Sequence, residues 1–235
     1  MTDMFELNSF FNMDCMKGLK QFPDKYFELA IVDPQYGIDA PKMSMGTNKH
    51  RRKNGYPSTS TAEKLRKDGA GSSWDSEPPS KKYFQELFRV SKDQIIWGGN
   101  YFDLPPTRCV ICWDKLQPWD AFSQWEMAWT SFDRPAKMYH ISNTGGGNSE
   151  KKICYTQKPV ALYTKCLTDF AKPGYKILDT HVGSASSLIA CYEMGYDYIG
   201  FEKDCWTYRK AKERLEAFQA QQSLFRNSIS VRLPV

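Results

Sequence analysis

No run of apolar residues in this chain approaches the ~18 needed to cross a bilayer, and the N-terminal MTDMFELNSFFNMDCM has no basic head ahead of an apolar stretch. A membrane-spanning or exported protein is excluded on that reading, and the expected compartment is the cytoplasm. A disulfide framework is lacking too: the seven cysteines are an odd number and lie scattered, as reduced thiols do. Cys109 and Cys112 form the only CxxC pair, inside an apolar run that ends at Trp113, with no second Cys/His pair at zinc-ligand spacing. The pair reads as part of a buried strand, and no metal is expected. Disorder is not indicated either, because 41% of residues are hydrophobic and 25% charged. No internal repeat is visible. A length of 235 residues suits one α/β domain better than two domains and a linker.

What the chain does have is a modest positive charge, +5, unevenly placed. Lys42, Lys49, Arg51, Arg52, Lys53, Lys64, Arg66 and Lys67 share one polar stretch in which Glu63 is the only acid. Gly46, Gly55, Pro57 and the Ser58-Thr59-Ser60-Thr61 run deny that stretch a core or a long periodic helix. Residues 39–75 therefore read as a basic insertion, with Lys49, Arg51, Arg52 and Lys53 as candidate contacts to a nucleic acid backbone. A solvated linker is the plainer alternative.

Around the insertion, short apolar runs alternate with helical patterns. The runs are Phe27–Val32, Gln94–Trp97, Cys109–Trp113, Lys176–Leu178 and Tyr198–Phe201. Strands spaced by helices predict a single-domain α/β fold, a mainly parallel sheet with helices on both faces. Ser186–Met194 reads as a helix ended by Gly195, and residues 204–222 as an amphipathic helix that Asp204 can cap.

Two strand ends carry chemistry. Residues 176–204 read as strand, tight turn, helix and strand, with Asp179 ending the first strand, Gly183, Ser184 and Ala185 in the turn, and Glu202 ending the second strand. In an open α/β sheet, ligands sit beyond the carboxyl ends of strands, where turn N–H groups and a helix N-terminus hold an anion. An acid at the second strand end can accept from both hydroxyls of a ribose. A nicotinamide enzyme shares this logic, but only one of its three fingerprint glycines, Gly183, is present. The other strand end is Ile31-Val32-Asp33-Pro34-Gln35-Tyr36-Gly37. An exocyclic amino nitrogen has its lone pair delocalised into the base, so a carboxylate and a carbonyl that accept its two hydrogens make it a better nucleophile. Asp33 and the Pro34 carbonyl are the candidate acceptors. Tyr36 is the candidate ring to stack on a base that has left the duplex.

These two segments, with Thr156-Gln157-Lys158-Pro159 ahead of the cofactor strand, resemble the motifs of the S-adenosylmethionine-dependent DNA amino-methyltransferases that act on adenine N6 or cytosine N4. The order, catalytic motif before cofactor motif, resembles the circularly permuted class of that family. Asn12-Met13-Asp14-Cys15, Trp97-Gly98-Gly99-Asn100-Tyr101, Trp113-Asp114-Lys115 and Glu126-Met127-Ala128-Trp129 are similar to pieces of its phage and mobile-element members. The resemblance implies a class I methyltransferase-like, Rossmann-like fold and S-adenosylmethionine as cofactor. It places Asp179 near the methionine amino group, Gly183 and Ser184 in the turn beside the cofactor, and Glu202 on the ribose. Asp14 would then lie by the adenine of the cofactor, and Lys158 and Pro159 at its methionine end.

One departure stands out: Gln35 occupies the place of a second proline in the family's Asp-Pro-Pro-Tyr motif. Proline there stiffens the loop and Gln does not, yet both acceptors and the ring survive, so activity is expected. Target recognition is left to residues 133–155, a short segment, helped by the basic insertion or by the second subunit of a homodimer. DNA is the expected partner and adenine N6 the expected target. Cytosine N4, an RNA base, and a nucleic-acid-binding module without catalysis remain the competing readings.

Overall fold

The computed structural model describes residues 5–40, 75–117, 123–143, 152–154 and 156–230, with backbone alone for 224–230. Its core is one eight-stranded sheet in the order β1-β8-β7-β2-β3-β5-β4-β6. The strands are β1 (Ser9–Asn12), β2 (Phe27–Val32), β3 (Ser91–Trp97), β4 (Val110–Asp114), β5 (Trp125–Thr130), β6 (Lys137–His140), β7 (Lys176–Asp179) and β8 (Asp197–Glu202). All neighbouring pairs are parallel except those of β5, which runs against both β3 and β4. The expected mainly parallel sheet is what the chain forms.

Period-two alternation decides which helices cover which face. On β2, Leu29 and Ile31 point to one side, where they pack with Leu162, Cys166, Leu167, Leu188 and Ile189 of helices α3 (Val160–Phe170) and α4 (Ser186–Met194). Ala30 and Val32 point to the other, against Leu19 of α1 (Cys15–Leu19) and Tyr83, Phe84 and Leu87 of α2 (Lys81–Val90). Each of these buried aliphatic side chains contributes roughly 1.5–3 kcal/mol relative to exposure. A last helix, α5 (Cys205–Ser230), follows β8 and is capped by Asp204, whose carboxylate accepts from Thr207 N–H at 2.7 Å. Gly195, at φ +74°, ends α4 as predicted.

Three strands carried no signal strong enough to predict. β1 and β6 are four-residue sheet-end strands with mixed polarity, and β5 (WEMAWT) holds an acid inside an otherwise apolar strand. Cys109 and Cys112 stand three positions apart along extended chain, hence on opposite faces; Cys109 is fully buried and all seven cysteines are free thiols. Of the predicted insertion, residues 41–74, including Lys49, Arg51, Arg52 and Lys53, lie outside the described residues. Its two ends are described and meet: Asp39 N–H donates to Asp75 C=O at 2.9 Å. Of residues 133–155, 144–151 and 155 likewise lie outside. Among the described residues no helix is long and apolar enough to cross a membrane, and no His/Cys/Asp/Glu group is arranged to hold a metal ion.

The topology itself selects a site. From β7 the chain crosses through α4 to β8 on one side; from β2 it crosses through α2 to β3 on the other, and the two helices lie on opposite faces. The adjacent pair β7 and β2 is therefore a topological switch point, where an open sheet leaves a crevice at its carboxyl edge. Leu29 pairs with Ile177 and Ala30 with Leu178, so Asp179 ends β7 level with Ile31 and Asp33 follows two positions further along the same edge.

Candidate active site at the carboxyl edge of the sheet

Asp33 sits just past the end of β2 and both of its oxygens are engaged. The Tyr36 hydroxyl donates to Oδ1 at 2.7 Å, and the Lys158 ammonium donates to Oδ2 at 2.5 Å. Lys158 is buried, with 3% of its side chain exposed, and its Nζ also lies 3.1 Å from Glu126 Oε2 and 3.2 Å from the Tyr36 oxygen. Glu126, on β5, is held on its other oxygen by Lys115 at 2.5 Å. Two carboxylates and two ammonium groups thus alternate across the site. Burial pushes the Asp33 carboxyl up, and Lys158 pulls against it without cancelling it. Burial acts on Glu126 too, but there the two lysines prevail and hold the carboxyl at about 2. Lys158 stays an ammonium: burial disfavours its charge and the two acids outweigh that cost.

Tyr36 is fixed from several directions. Its ring stacks on Tyr101 at 4.9 Å and 12°, and Lys158 lies 5.7 Å from its centroid. Gly98, at φ +70°, comes so close to the ring that a Cβ there would fall 2.1 Å from a ring carbon, so the Trp97-Gly98-Gly99 turn requires glycine at this position. Tyr101 is 47% exposed, an aromatic face open to solvent beside Asp33.

The ends of β7 and β8 provide a different chemistry. Asp179 is buried at the end of β7; Ser187 of α4 donates to one oxygen and His181 N–H to the other at 2.9 Å. Burial carries its carboxyl up to about 7. Glu202 accepts from Gly183 N–H at 3.0 Å and Asp204 N–H at 2.8 Å, and burial still raises it. Ser184 is buried, its hydroxyl paired with Ser186 at 3.0 Å, and Arg214 of α5 donates to the Ser184 carbonyl at 2.6 Å. A Cβ built at Gly183 would meet nothing nearer than 3.9 Å, so the space above the turn is open. Asp14 caps α1 through Met16 N–H and pairs with Lys203 at 3.2 Å; these partners bring its carboxyl below the usual range although burial opposes them.

The predicted catalytic and cofactor residues, all described, gather along one edge with one difference in grouping, whereas Lys49, Arg51, Arg52 and Lys53 lie outside the described residues. Lys158 and Pro159 are adjacent in sequence but act apart: Pro159 precedes α3, while the Lys158 side chain bonds Asp33, Glu126 and Tyr36 and not the acids of β7 and β8. Sequence reasoning passed over Glu126 and Lys115 as site residues, together with Ser187, Arg214 and Asp75. The signal for Glu126 was an acid within a strand whose neighbours are Trp, Met, Ala and Trp. Ser187, the second residue of the helix that follows the Gly183 turn, is readable as a partner for Asp179; Arg214 and Asp75 have no local signal.

A mainly parallel sheet with one reversed strand carries acids at the ends of the adjacent strands β7 and β8 and a carboxyl beside an aromatic at the switch point. A family model described as DNA methylase, of the N6/N4 methyltransferases, matches residues 36–213, and the chain belongs to that family of S-adenosylmethionine-dependent DNA methyltransferases. Solved structures share the fold. The M1.HpyAVI–SAM complex superposes with a TM-score of 0.54 at 16% identity, over 88% of this chain and 98% of that one. TTHA0409 from Thermus thermophilus, described as a putative DNA modification methylase complexed with S-adenosyl-L-methionine, gives 0.51 at 14% identity over 89% and 95%. The cytosine-N4-specific PvuII DNA methyltransferase gives 0.55 at 12% identity over 89% and 90%.

Proposed function

We propose that this DNA methyltransferase transfers its methyl group to N6 of an adenine turned out of the duplex. The observation that carries the reading is the Asp33 carboxyl, bonded by Lys158 and Tyr36 and set at the switch point between β2 and β7. S-adenosylmethionine supplies an electrophilic methyl on sulfur. Glu202 is suited to accept from its ribose hydroxyls and Asp179 to face its amino group; Gly183 and Ser184 leave the turn open, and Asp14 borders the same edge.

Asp33 and the Pro34 carbonyl accept the two amino hydrogens, which draws the nitrogen lone pair toward the methyl carbon. Tyr36 holds the ring in plane by stacking. The methyl group would leave sulfur for the base nitrogen, releasing S-adenosylhomocysteine, and the nitrogen would lose one proton, for which the Asp33 carboxylate is the proposed acceptor. Lys49, Arg51, Arg52 and Lys53 are proposed to neutralise phosphates, each contact adding about 0.9 to the log–log salt slope of binding.

Incubating duplex DNA and, in parallel, RNA with methyl-labelled S-adenosylmethionine and digesting each to nucleosides tests the assignment. Label in N6-methyladenosine-type product is expected. Label in N4-methylcytosine would move the target to cytosine, label in RNA alone would move the substrate, and bound cofactor with no transfer would leave a binding module.

A further inference from the structure

The motif loop lacks the second proline that would stiffen it, so its rigidity has to come from elsewhere. Tyr36 is followed by Gly37 at φ +74°, and the next residues turn back sharply, with Asp39 at φ +54°. Three N–H groups of this turn converge on one residue. Gly37 N–H donates to Asp75 Oδ1 at 2.8 Å, Ala40 N–H to Asp75 Oδ2 at 2.9 Å, and Asp39 N–H to the Asp75 carbonyl at 2.9 Å. Asp75 is 1% exposed. A carboxylate that accepts backbone N–H bonds out of water makes shorter, stronger bonds than a neutral acceptor does, and losing it would take the partner from two half-buried donors, Gly37 N–H and Ala40 N–H. Packing adds to this: a Cβ at Gly37 would fall 2.5 Å from Pro78 Cδ and 2.7 Å from Pro78 N, so the turn is pressed against the backbone just beyond Asp75.

We propose that Asp75 is a positioning residue for methyl transfer, the substitute for the missing proline, holding the chain behind Tyr36 so that Tyr36 and Asp33 keep the geometry the base needs. The proposal rests on the reading of Asp33 and Tyr36 given above. Asp75 touches neither base nor cofactor; it acts by removing freedom from the loop that carries both groups. Proline at position 35 would restrain the other side of Tyr36, by fixing φ there. Both devices limit the chain that carries Tyr36, so partial rescue of one by the other separates positioning from general structural support.

The test uses the full chain and five variants: Asp33→Ala, Asp75→Ala, Asp75→Asn, and each of the two Asp75 variants with Gln35→Pro. Displacing catalytic groups by about 1 Å commonly costs about a hundredfold, so Asp75→Ala should lower kcat for DNA methylation by about that factor, with S-adenosylmethionine affinity by titration calorimetry within about twofold of the parent. Asp75→Asn keeps one acceptor oxygen and should fall between; it carries the test if the alanine variant does not fold. Adding Gln35→Pro to either should restore at least about tenfold in kcat without a matching change in cofactor affinity. The proposal is overturned if Asp75→Ala turns over like the parent while Asp33→Ala is inactive, or if kcat, cofactor affinity and melting temperature fall together and proline restores none of them. Activity in Asp33→Ala itself would instead remove the reading of the site on which the proposal stands.

Discussion

The two halves of the active edge solve the problem of a buried acid in opposite ways. On the cofactor side, Asp179 and Glu202 are held by groups close by in sequence or by the adjoining turn: Ser187, His181 N–H, Gly183 N–H and Asp204 N–H. Among the described residues no cation pairs with either, and burial raises both carboxyls. On the catalytic side, Asp33 is charge-balanced by Lys158, 125 positions away, which is shared with Glu126, itself bound by Lys115. Hydrogen bonds alone therefore leave an acid easy to protonate and easily satisfied by a ligand's hydroxyl or amino group. An ammonium in contact opposes the burial penalty and favours the charged acceptor that an amino group needs.

Replacing Asp33 is the severest way to break the contrast. Asp33→Ala should reduce methyl incorporation by at least about a hundredfold, the ~3 kcal/mol or more typical of one acceptor or donor lost at a reacting group. Lys158 keeps Glu126 as its partner, so the fold and the cofactor affinity should survive. Transfer within a few-fold of the parent, measured with labelled S-adenosylmethionine, would put the catalytic centre elsewhere.

Lys158→Met comes next and acts through pH. Burial already raises the Asp33 carboxyl and Lys158 is the main influence lowering it. Removing the ammonium moves that pKa further up. A smaller fraction of Asp33 is then ionised at neutral pH, so the acid limb of the kcat profile shifts to higher pH and activity returns as pH rises. A loss of cofactor affinity with an unmoved acid limb would return Lys158 to the cofactor's methionine end.

What could be read from sequence follows the same division. β2, β7, β8 and α4 were legible because each is an apolar run bounded by turn residues, and because Asp179, Gly183 and Glu202 lie within one strand-turn-helix-strand unit. β3 was legible from Gln94 onward only, since Ser91, Lys92 and Asp93 at its start carry no apolar signal. The reversal of β5 was not legible at all, for strand direction is set by what it packs between. Lys158 was picked out, but its chemical partner was not, because Glu126 and Asp33 meet it only when β5 and β2 take their places in the sheet. Asp75 is the extreme case, a buried acid whose three donors lie 35 to 38 positions earlier.

Glu202→Ala probes the cofactor side. Losing charge-assisted hydrogen bonds to the ribose should weaken S-adenosylmethionine by about 1.5–3 kcal/mol, read by titration calorimetry. The kcat at saturating cofactor should change much less than in Asp33→Ala. Unchanged affinity would mean that Glu202 only braces Gly183 N–H and Asp204 N–H.

The smallest effect is expected in stability, at Asp179. Its carboxyl titrates at about 7 in the folded protein, against 3.8 for an unperturbed aspartate, chiefly because it is buried. For a group whose folded pKa is raised, the stabilising contribution is complete below the unfolded value and is lost as pH rises through the folded one. Ionised Asp179 therefore costs the cofactor-free protein stability, by an amount that grows from about pH 4 to about pH 7 and is level above that. Asp179→Asn removes the charge while keeping an acceptor for Ser187 or His181 N–H. Thermal melts without cofactor should show the variant more stable than the parent by several degrees, about 2–8 °C, near pH 8, with the gap closing toward pH 4. Its affinity for S-adenosylmethionine should fall at the same time, since the amino group loses its anionic partner. A variant no more stable at high pH than at low pH would show that hydrogen bonds alone do compensate a buried carboxylate here, and the contrast between the two halves would then rest on Lys158 alone.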